Sequence, residues 1–352
     1  MSRKYLLVGN PTARTGKARG RIDRALTRMR ARGVDAHFLA TAPGGATVGM
    51  LQERVDAEPF DAVIYLGGDG TFAEVAKGLI ASSRSIPMGM IPSGTANDQG
   101  KSFGVSASES ALERNLDIID EGNITNLDVG CISRLDDDSR VMDQDLFFDS
   151  AGFGMNPDIL AMRNRDREAV SQIPLLRDLY RDELVYAGAT LKKYLASWVE
   201  PTKFDAEILC HDGDEVTAYA YGDLTDLVIS GTPIYGGRWV FVPECEPDDG
   251  RFEAVPVQGR RDWFSKAIRD LAVVPISRAD LDEIGITHCE GFAGSRFEIR
   301  LSRPERQLVA SQIDGEEWLL GDRFRIEVIP RRLPLITPIG WSPPWKTYAQ
   351  PV

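Results

Sequence analysis

The chain has 352 residues, of which 43% are hydrophobic and 27% are charged, and its formal net charge is −12. These proportions are those of a globular protein long enough for two domains, each with its own core. The acidic balance argues against nucleic acid as a partner. No run approaches the roughly 18 uninterrupted apolar residues of a membrane span. Four scattered cysteines without a CxxC pair predict reduced thiols in a cytoplasmic protein.

Strand-like and helix-like segments alternate over about the first third of the chain. The strand-like segments are Tyr5–Val8, Asp35–Leu39, Ala62–Leu66 and Ile86–Ile91. This alternation predicts an N-terminal α/β domain with a mostly parallel sheet and helices on both faces. Ligands of such sheets bind beyond the carboxyl ends of the strands.

Two short polar runs follow the third and fourth of these strands. The first is Gly67-Gly68-Asp69-Gly70-Thr71, which leads into a helical pattern, and the second is Ser93-Gly94-Thr95-Ala96-Asn97-Asp98. A strand that passes through a glycine turn into a helix N-terminus can cradle phosphates, because unpaired N–H groups point at anionic oxygens. A plain turn with a capping aspartate explains the first run equally simply.

Beyond residue 125 the chain becomes β-rich. Its strand-like runs, separated by Asp-Gly and Gly-Gly turns, predict a sandwich. The predicted division is an α/β nucleotide-binding domain at 1–125, a β-rich substrate domain at 126–335 and a tail at 336–352 that packs back on a domain. Two helical segments interrupt the strands, at 165–198 and 262–284; the first is either a wall of a substrate pocket or a plain core helix. The predicted strands are Asn126–Ile132, Leu146–Ser150, Asp205–Cys210, Asp223–Ser230, Phe252–Val257, Phe297–Leu301, Leu308–Ile313 and Phe324–Ile329.

The order of three motifs resembles one family. GGDGT at residue 67, GTAND at residue 94 and Asp314-Gly315-Glu316 near the C-terminus together resemble the diacylglycerol-kinase-like lipid kinases, which include sphingosine and ceramide kinases. The resemblance extends over roughly residues 4 to 330. It implies two domains with the active site in the cleft between them, and an ATP- and Mg²⁺-dependent transfer of phosphate to a lipid hydroxyl.

The resemblance also implies which residues hold the nucleotide. Asn10-Pro11-Thr12-Ala13 matches the opening phosphate loop of the family, and Thr41 matches its nucleotide-contacting threonine. Arg14 is a further candidate for phosphate contact, and Glu74 for closing the site. The full expected set is Asn10, Pro11, Thr12, Ala13, Arg14, Thr41, Gly67, Gly68, Asp69, Gly70, Thr71, Glu74, Thr95, Asn97, Asp98 and Glu316.

Asp314 is the expected general base. Phosphoryl transfer needs in-line positioning, neutralised phosphate charge and a group that takes the proton from the attacking hydroxyl. On the sequence alone Asp-Gly favours a hairpin turn; the position of the motif in the family favours catalysis, and the two interpretations are compatible. Glu316 would then reach the nucleotide or its metal.

A magnesium site is expected at the Asp249-Gly250 turn. The resemblance to bacterial lipid kinases implies Asp249 as the ligand, with Glu246 and the Arg251 carbonyl as partners. Mg²⁺ needs few carboxylates because it keeps several waters. An acidic surface turn explains the same residues.

The N-terminal helix is strongly basic. Residues 1–34 contain ten Lys or Arg and one acid, Asp23. This pattern indicates either a solvated helix face or a patch that docks on anionic lipid headgroups. With a lipid substrate, the second interpretation predicts a cytoplasmic protein in peripheral contact with the inner face of the membrane. A homodimer is compatible with the sequence.

The sequence departs from the family after Asp98. The family usually has an aromatic residue and an arginine there, whereas this chain has Gln99, Gly100 and Lys101. Two other functions therefore stay open: a kinase for a soluble acceptor such as NAD, and a non-catalytic lipid-binding protein on the same scaffold. The sequence does not fix the lipid.

Overall fold

The computed structural model describes residues 2–154, 203–235, 239–240, 242, 244–258 and 291–341. The predicted helices at 165–198 and 262–284, and the tail beyond residue 341, lie outside the described residues. The chain divides into two compact units. The first comprises residues 1–130, 231–250 and 328–352, and the second comprises 131–230 and 251–327.

The first unit is an α/β layer structure. Its strands are β1 (Lys4–Gly9), β2 (Asp35–Ala40), β3 (Ala62–Gly67) and β4 (Met88–Pro92). They are parallel and lie in the order β2-β1-β3-β4. The helices are α1 (Lys17–Ala31), α2 (Ala46–Ala57), α3 (Asp69–Ala81), α4 (Asp98–Ser102) and α5 (Leu112–Glu121). The chain runs from β1 to β2 in one direction across the sheet and from β2 through β3 to β4 in the other, so right-handed crossovers place α1 on one face and α2 and α3 on the opposite face.

Both faces of this sheet are covered. All five residues of β4 and the first five of β3 are buried, as expected for parallel strands between two helical layers. Helix α1 packs near α5, and α2 packs against α3. The predicted α/β domain with a mostly parallel sheet is confirmed.

The second unit is built of antiparallel strands. Its strands, with those that enter it, are β5 (Ile124–Leu135), β6 (Val141–Phe147), β7 (Ser150–Gly154), β8 (Phe204–Asp212), β9 (Glu215–Leu224), β10 (Asp226–Ser230), β13 (Phe252–Val257), β14 (Phe292–Gly294), β15 (Arg296–Ser302), β16 (Val309–Ile313), β17 (Glu316–Gly321) and β18 (Arg323–Ile336). The short strands β11 (Ile234–Tyr235) and β12 (Trp239–Val240) pair with each other and belong to the first unit. In the second unit, one sheet has the order β14-β13-β10-β7-β16-β17, and in the other sheet β15 pairs with β8 and β8 pairs with β9. Phe153 of β7 contacts Phe324 of β18, with ring centroids 4.8 Å apart.

The predicted β-rich region is confirmed, with two corrections to its strands. The run Leu146–Ser150 is not one strand, because β6 ends at Phe147 and β7 begins at Ser150. Strand β9 was not predicted, although Tyr219 and Tyr221 alternate with alanines in it. β5 and β18 are long strands that pass from one unit into the other along the chain. Within the described residues, no helix is long and apolar enough to cross a membrane.

Candidate functional site

Two loops of the first unit approach each other at the carboxyl ends of β3 and β4. The Ser93 N–H donates to the Gly67 carbonyl over 2.6 Å. A Cβ placed on Gly94 would lie 2.5 Å from the Cα of Gly68, a distance that real Cβ atoms do not adopt. Glycine is therefore required at Gly94 by the neighbouring backbone. The approach brings the two predicted phosphate loops together.

Asn97 fixes the shape of the second loop. Its backbone is left-handed, with φ 55°, a conformation that asparagine tolerates better than most residues. Its side-chain Oδ1 accepts the Gly94 N–H over 2.7 Å, and its Nδ2 donates to the Gly94 carbonyl over 2.8 Å. The side chain thus braces the loop, and the predicted contact of Asn97 with the nucleotide stays a prediction.

Asp69 connects the two loops. It is the first residue of α3, and its Oδ2 accepts the Asn97 N–H over 2.8 Å. Burial raises the pKa of this carboxyl above its ordinary value, and backbone N–H groups, chiefly that of Asn97, oppose the shift. Its Oδ1 is buried and has no hydrogen-bond partner in the described part of the chain. That oxygen is available to a bound group.

The first strand leads into a third loop at the same edge. Asn10 Oδ1 accepts both the backbone N–H of Thr12, over 2.9 Å, and its hydroxyl, over 2.8 Å. Pro11 lies between them, and a short 3-10 helix, Ala13–Gly16, follows and contains Arg14. The Thr41 N–H donates to the Gly9 carbonyl over 3.0 Å, which places Thr41 beside this loop.

The remaining predicted nucleotide residues lie on the same elements. A Cβ on Gly67 would lie 2.4 Å from Thr71 Oγ1, so glycine admits the threonine side chain. Thr95 and Gly70 are exposed, and Glu74 is half-buried in α3. The backbone N–H groups at the start of α3 are the natural donors to a phosphate.

Arg21 is a positioning residue that the sequence reasoning missed. The helical pattern places it on the solvated side of α1, but its side chain is only 6% exposed. One guanidinium nitrogen donates to the Pro92 carbonyl over 3.1 Å and the other to the Ala107 carbonyl over 3.2 Å. Pro92 is the last residue of β4, so Arg21 anchors the start of the second phosphate loop.

The other arginines of α1 are largely paired. Arg28 contacts Glu113 at 3.0 Å, and Arg32 contacts Asp117 at 2.7 Å and Asp120 at 2.8 Å. These acids belong to α5, which neutralises much of the basic helix. Arg19 is exposed.

In the second unit, Asp314 occupies the tip of the β16–β17 hairpin. Ile313 pairs with Glu316 across a two-residue turn, with φ 49° at Asp314 and 77° at Gly315. Two successive positive φ values define the hairpin turn that Asp-Gly favours. The predicted hairpin is confirmed, and it presents Glu316 exposed as the first residue of β17.

The Asp314 carboxylate is held by the segment between β6 and β7. Its Oδ1 accepts the N–H groups of Phe148 over 3.0 Å and Asp149 over 2.7 Å, and its own N–H donates to the Ser150 carbonyl over 2.9 Å. The Gly315 N–H donates to Gln312 Oε1 over 2.7 Å. The break between β6 and β7, which the sequence did not predict, thus fixes the orientation of the predicted base.

The Asp249-Gly250 turn is organised by Asp128, a second residue that the sequence did not single out. Asp128 is 1% exposed; its Oδ1 accepts the Arg331 N–H over 2.6 Å and its Oδ2 the Gly250 N–H over 2.5 Å. Burial raises the pKa of this carboxyl, and the two N–H groups oppose the shift. A lone Asp in a strand-like run carries no distinctive sequence signal.

The predicted metal ligands offer only oxygen donors, which suit Mg²⁺. Asp249 is exposed and Glu246 is half-buried, while the Arg251 side chain pairs with Asp212 at 2.9 Å in the second unit. No group of three or more His, Cys, Asp or Glu side chains in the described ranges is arranged to hold a metal ion. The assignment of Glu246, Asp249 and Arg251 to magnesium therefore stays a prediction.

Comparison with known proteins gives a consistent result for the N-terminal region. Residues 4–132 match the sequence model of the diacylglycerol kinase catalytic domain. The predicted resemblance to the diacylglycerol-kinase-like family is thereby confirmed for residues 4–132. Diacylglycerol kinases of Staphylococcus aureus strains RF122 and MRSA252 are each 31% identical to this chain over 131 residues, which is 37% of the chain. The match covers 40% of the length of these relatives.

The fold of the chain as a whole is similar to that of a solved structure. A crystal structure of a diacylglycerol kinase from Bacillus anthracis str. Sterne superposes with a TM-score of 0.65 and covers 96% of this chain and 97% of that one. The sequence identity is 18%, so this likeness concerns the fold. The diacylglycerol kinase fold thus accounts for both the α/β unit and the antiparallel unit.

Proposed function

We propose that the chain is an ATP-dependent kinase that transfers phosphate to a hydroxyl group of a membrane lipid. The observation that carries the proposal is the close approach of the loops at Gly68 and Gly94, in a region that matches the diacylglycerol kinase catalytic domain. Two glycine loops that meet at the start of a helix form a polyphosphate site.

The first unit would hold the nucleotide. ATP supplies the γ-phosphoryl group, and bound Mg²⁺ neutralises phosphate charge. The backbone N–H groups at the start of α3 donate to phosphate oxygens. Asn10, Asn97 and Arg21 keep the three loops in place through the hydrogen bonds described above. Thr41, Thr71 and Thr95 add hydroxyl groups.

Asp314 would accept the proton of the lipid hydroxyl. A general base is effective when its orientation is fixed before the reaction. Three contacts with the Phe148–Ser150 segment and the two-residue turn provide that fixation. Glu316 would contact the nucleotide or its metal.

We also propose peripheral contact with the membrane surface, because the acceptor resides there. Pairing of Arg28 and Arg32 with α5 reduces the charge that α1 offers to anionic headgroups. We therefore expect weak, salt-sensitive binding to anionic vesicles. Arg19→Gln should weaken it further if α1 is the docking surface.

The proposal is tested by incubating the full chain with γ-labelled ATP, Mg²⁺ and detergent-dispersed lipids. The panel contains diacylglycerol, ceramide, sphingosine and monoacylglycerol, with NAD as the soluble acceptor. A labelled lipid on thin-layer chromatography supports the proposal and identifies the acceptor. Labelled NAD phosphate alone would replace it with a soluble-acceptor kinase, and ATP binding without any transfer would indicate a non-catalytic protein.

A further inference from the structure

A cavity of about 340 Å³ lies within the first unit, and its lining includes Glu246, which is also a predicted magnesium ligand. Five parts of the chain line it: the end of α4, the beginning of β5, Pro233, the segment 245–248, and the residues that follow β18 up to Trp341. Its volume is at the lower end of the range of small-molecule sites. An occupant would contact the helix that begins at the second phosphate loop.

The charge of the cavity lining is negative. Glu246 and Asp248 contribute two carboxylates, and no described lining residue is Lys, Arg or His. On an adjoining element, the Nε of Arg331 donates to the Asp248 backbone carbonyl over 3.2 Å. Lys101, one residue before the lining residue Ser102, is exposed. The lining therefore favours a cation over an anion.

One hydroxyl in the lining has unused hydrogen-bonding capacity. Ser102 is 4% exposed, and its Oγ has no partner among the residues that the structure describes. By contrast, the Thr125 and Thr337 hydroxyls lie 2.8 Å apart, and Asn123 Nδ2 donates to Thr337 Oγ1 over 3.2 Å. A buried unpaired hydroxyl costs free energy, so Ser102 Oγ is suited to accept a donor from an occupant.

The remaining lining is apolar and includes one fixed aromatic ring. Trp341 lies against Gly104, where a Cβ would come within 2.1 Å of the indole Nε1. Gly104 also has a positive φ, 71°, so the position suits only glycine. Phe103, Pro338, Pro233, Cys245 and Pro247 also contribute to the apolar part. An aromatic face next to carboxylates is a common arrangement for recognising organic cations.

We propose that this cavity binds a small primary ammonium group, of the size of ethanolamine. Such a group carries one positive charge and three N–H donors. The charge complements Glu246 and Asp248, one N–H satisfies Ser102 Oγ, and the carbon chain lies on Trp341. The ammonium group comes from a free amine or from the headgroup of an amino lipid.

Calorimetric titration of the full chain tests this assignment, with ethanolamine as the probe, ethylene glycol as its neutral counterpart and MgCl₂ as a competing cation. We expect ethanolamine to bind, ethylene glycol not to bind, and the affinity for ethanolamine to be unchanged in the presence of MgCl₂. Asp248→Asn should weaken it by about fivefold, as loss of a partly exposed ion pair does. Glu244→Gln removes a charge from the same segment outside the lining and should leave the affinity unchanged. Equal binding of ethylene glycol, binding of Mg²⁺ alone, or equal affinity in Asp248→Asn would overturn the proposal.

A second variant and a second probe complete the test. Ser102→Leu should fill the cavity and abolish binding, with an unchanged thermal midpoint as the check of folding.

Co-sedimentation with phosphatidylethanolamine vesicles, compared with phosphatidylcholine vesicles, distinguishes a lipid headgroup from a free amine as the source of the ammonium group. Retention on the first alone, lost in Asp248→Asn, assigns the site to a lipid headgroup; binding of soluble ethanolamine alone assigns it to a free amine. Failure of both probes overturns the assignment whatever the kinase assay shows.

Discussion

At the scale of single residues, Gly94 illustrates how a neighbouring loop restricts the side chain. Its missing Cβ would lie 2.5 Å from backbone, which cannot move away without shifting Gly68. We expect Gly94→Ala to weaken ATP binding by about tenfold or more, since overpacking costs about 1–3 kcal/mol. Equilibrium binding of a fluorescent ATP analogue measures this. Gly49→Ala, on the exposed side of α2, is the control; equal affinity in all three proteins would show that the loops do not form the nucleotide site.

Asp69 makes a pH-dependent contribution to stability. Burial raises the pKa of the Asp69 carboxyl in the folded state. Its contribution to the free energy of unfolding is therefore fully present at low pH, and it is lost as the pH rises through the folded-state pKa. Asparagine at this position does not titrate and retains an acceptor for the Asn97 N–H. Relative to wild type, Asp69→Asn should therefore gain stability between pH 4 and pH 7 in urea unfolding. The control is Asp23→Asn, on the exposed side of α1, which should show no such gain. If the difference in the free energy of unfolding between Asp69→Asn and wild type stayed constant with pH, the burial argument would be contradicted.

The sequence predicted some of these residues and missed others for identifiable reasons. Asp314-Gly315 was predictable as a turn because both residues tolerate positive φ. Arg21 and Asp128 were missed because their roles depend on carbonyl and N–H groups distant in sequence. The helical pattern places Arg21 on the solvated side of α1, and the carbonyls of Pro92 and Ala107, which are distant in sequence, cover its guanidinium group.

At the scale of elements, two glycines in neighbouring helices have opposite surroundings. A Cβ added to Gly49 in α2 would have nothing within 4 Å, whereas a Cβ on Gly78 in α3 would lie 3.0 Å from the Val48 carbonyl. Gly49→Ala should stabilise the protein by up to about 1 kcal/mol, the helix preference for alanine. Gly78→Ala should destabilise it, because α2 and α3 pack closely there. Thermal midpoints measure both, and a rise in both variants would contradict the packing described.

The elements themselves were predicted best where hydrophobic periodicity was strong. The strands of the first unit lie within a few residues of the predicted positions. The break between β6 and β7 was missed because the residues around it, Phe147, Phe148 and Ala151, are apolar and typical of a strand. Asp149 favours a turn, but this single residue does not predict a break. What interrupts the strand is the Asp314 carboxylate, which takes the N–H groups of this segment.

At the scale of the whole molecule, the first unit depends on distant parts of the chain. Leu335 of β18 pairs with Met88 of β4, and Leu333, Leu335 and Ile336 are at most 3% exposed. A fragment of residues 1–130 lacks this strand. We expect the fragment to unfold at a lower temperature than the full chain, or to lack cooperative unfolding, in circular dichroism. An equal midpoint would show that the sequence-predicted domain 1–125 is sufficient.

Nucleotide binding and proton abstraction are assigned to different residues, and one pair of measurements on Asp314→Asn separates them. We expect lipid phosphorylation in this variant to fall by at least about a hundredfold, while the ATP dissociation constant is unchanged. Glu317→Gln, an exposed charge on the same hairpin, serves as the control and should retain both. Retained turnover in Asp314→Asn, or loss of ATP binding together with turnover, would contradict the assignment.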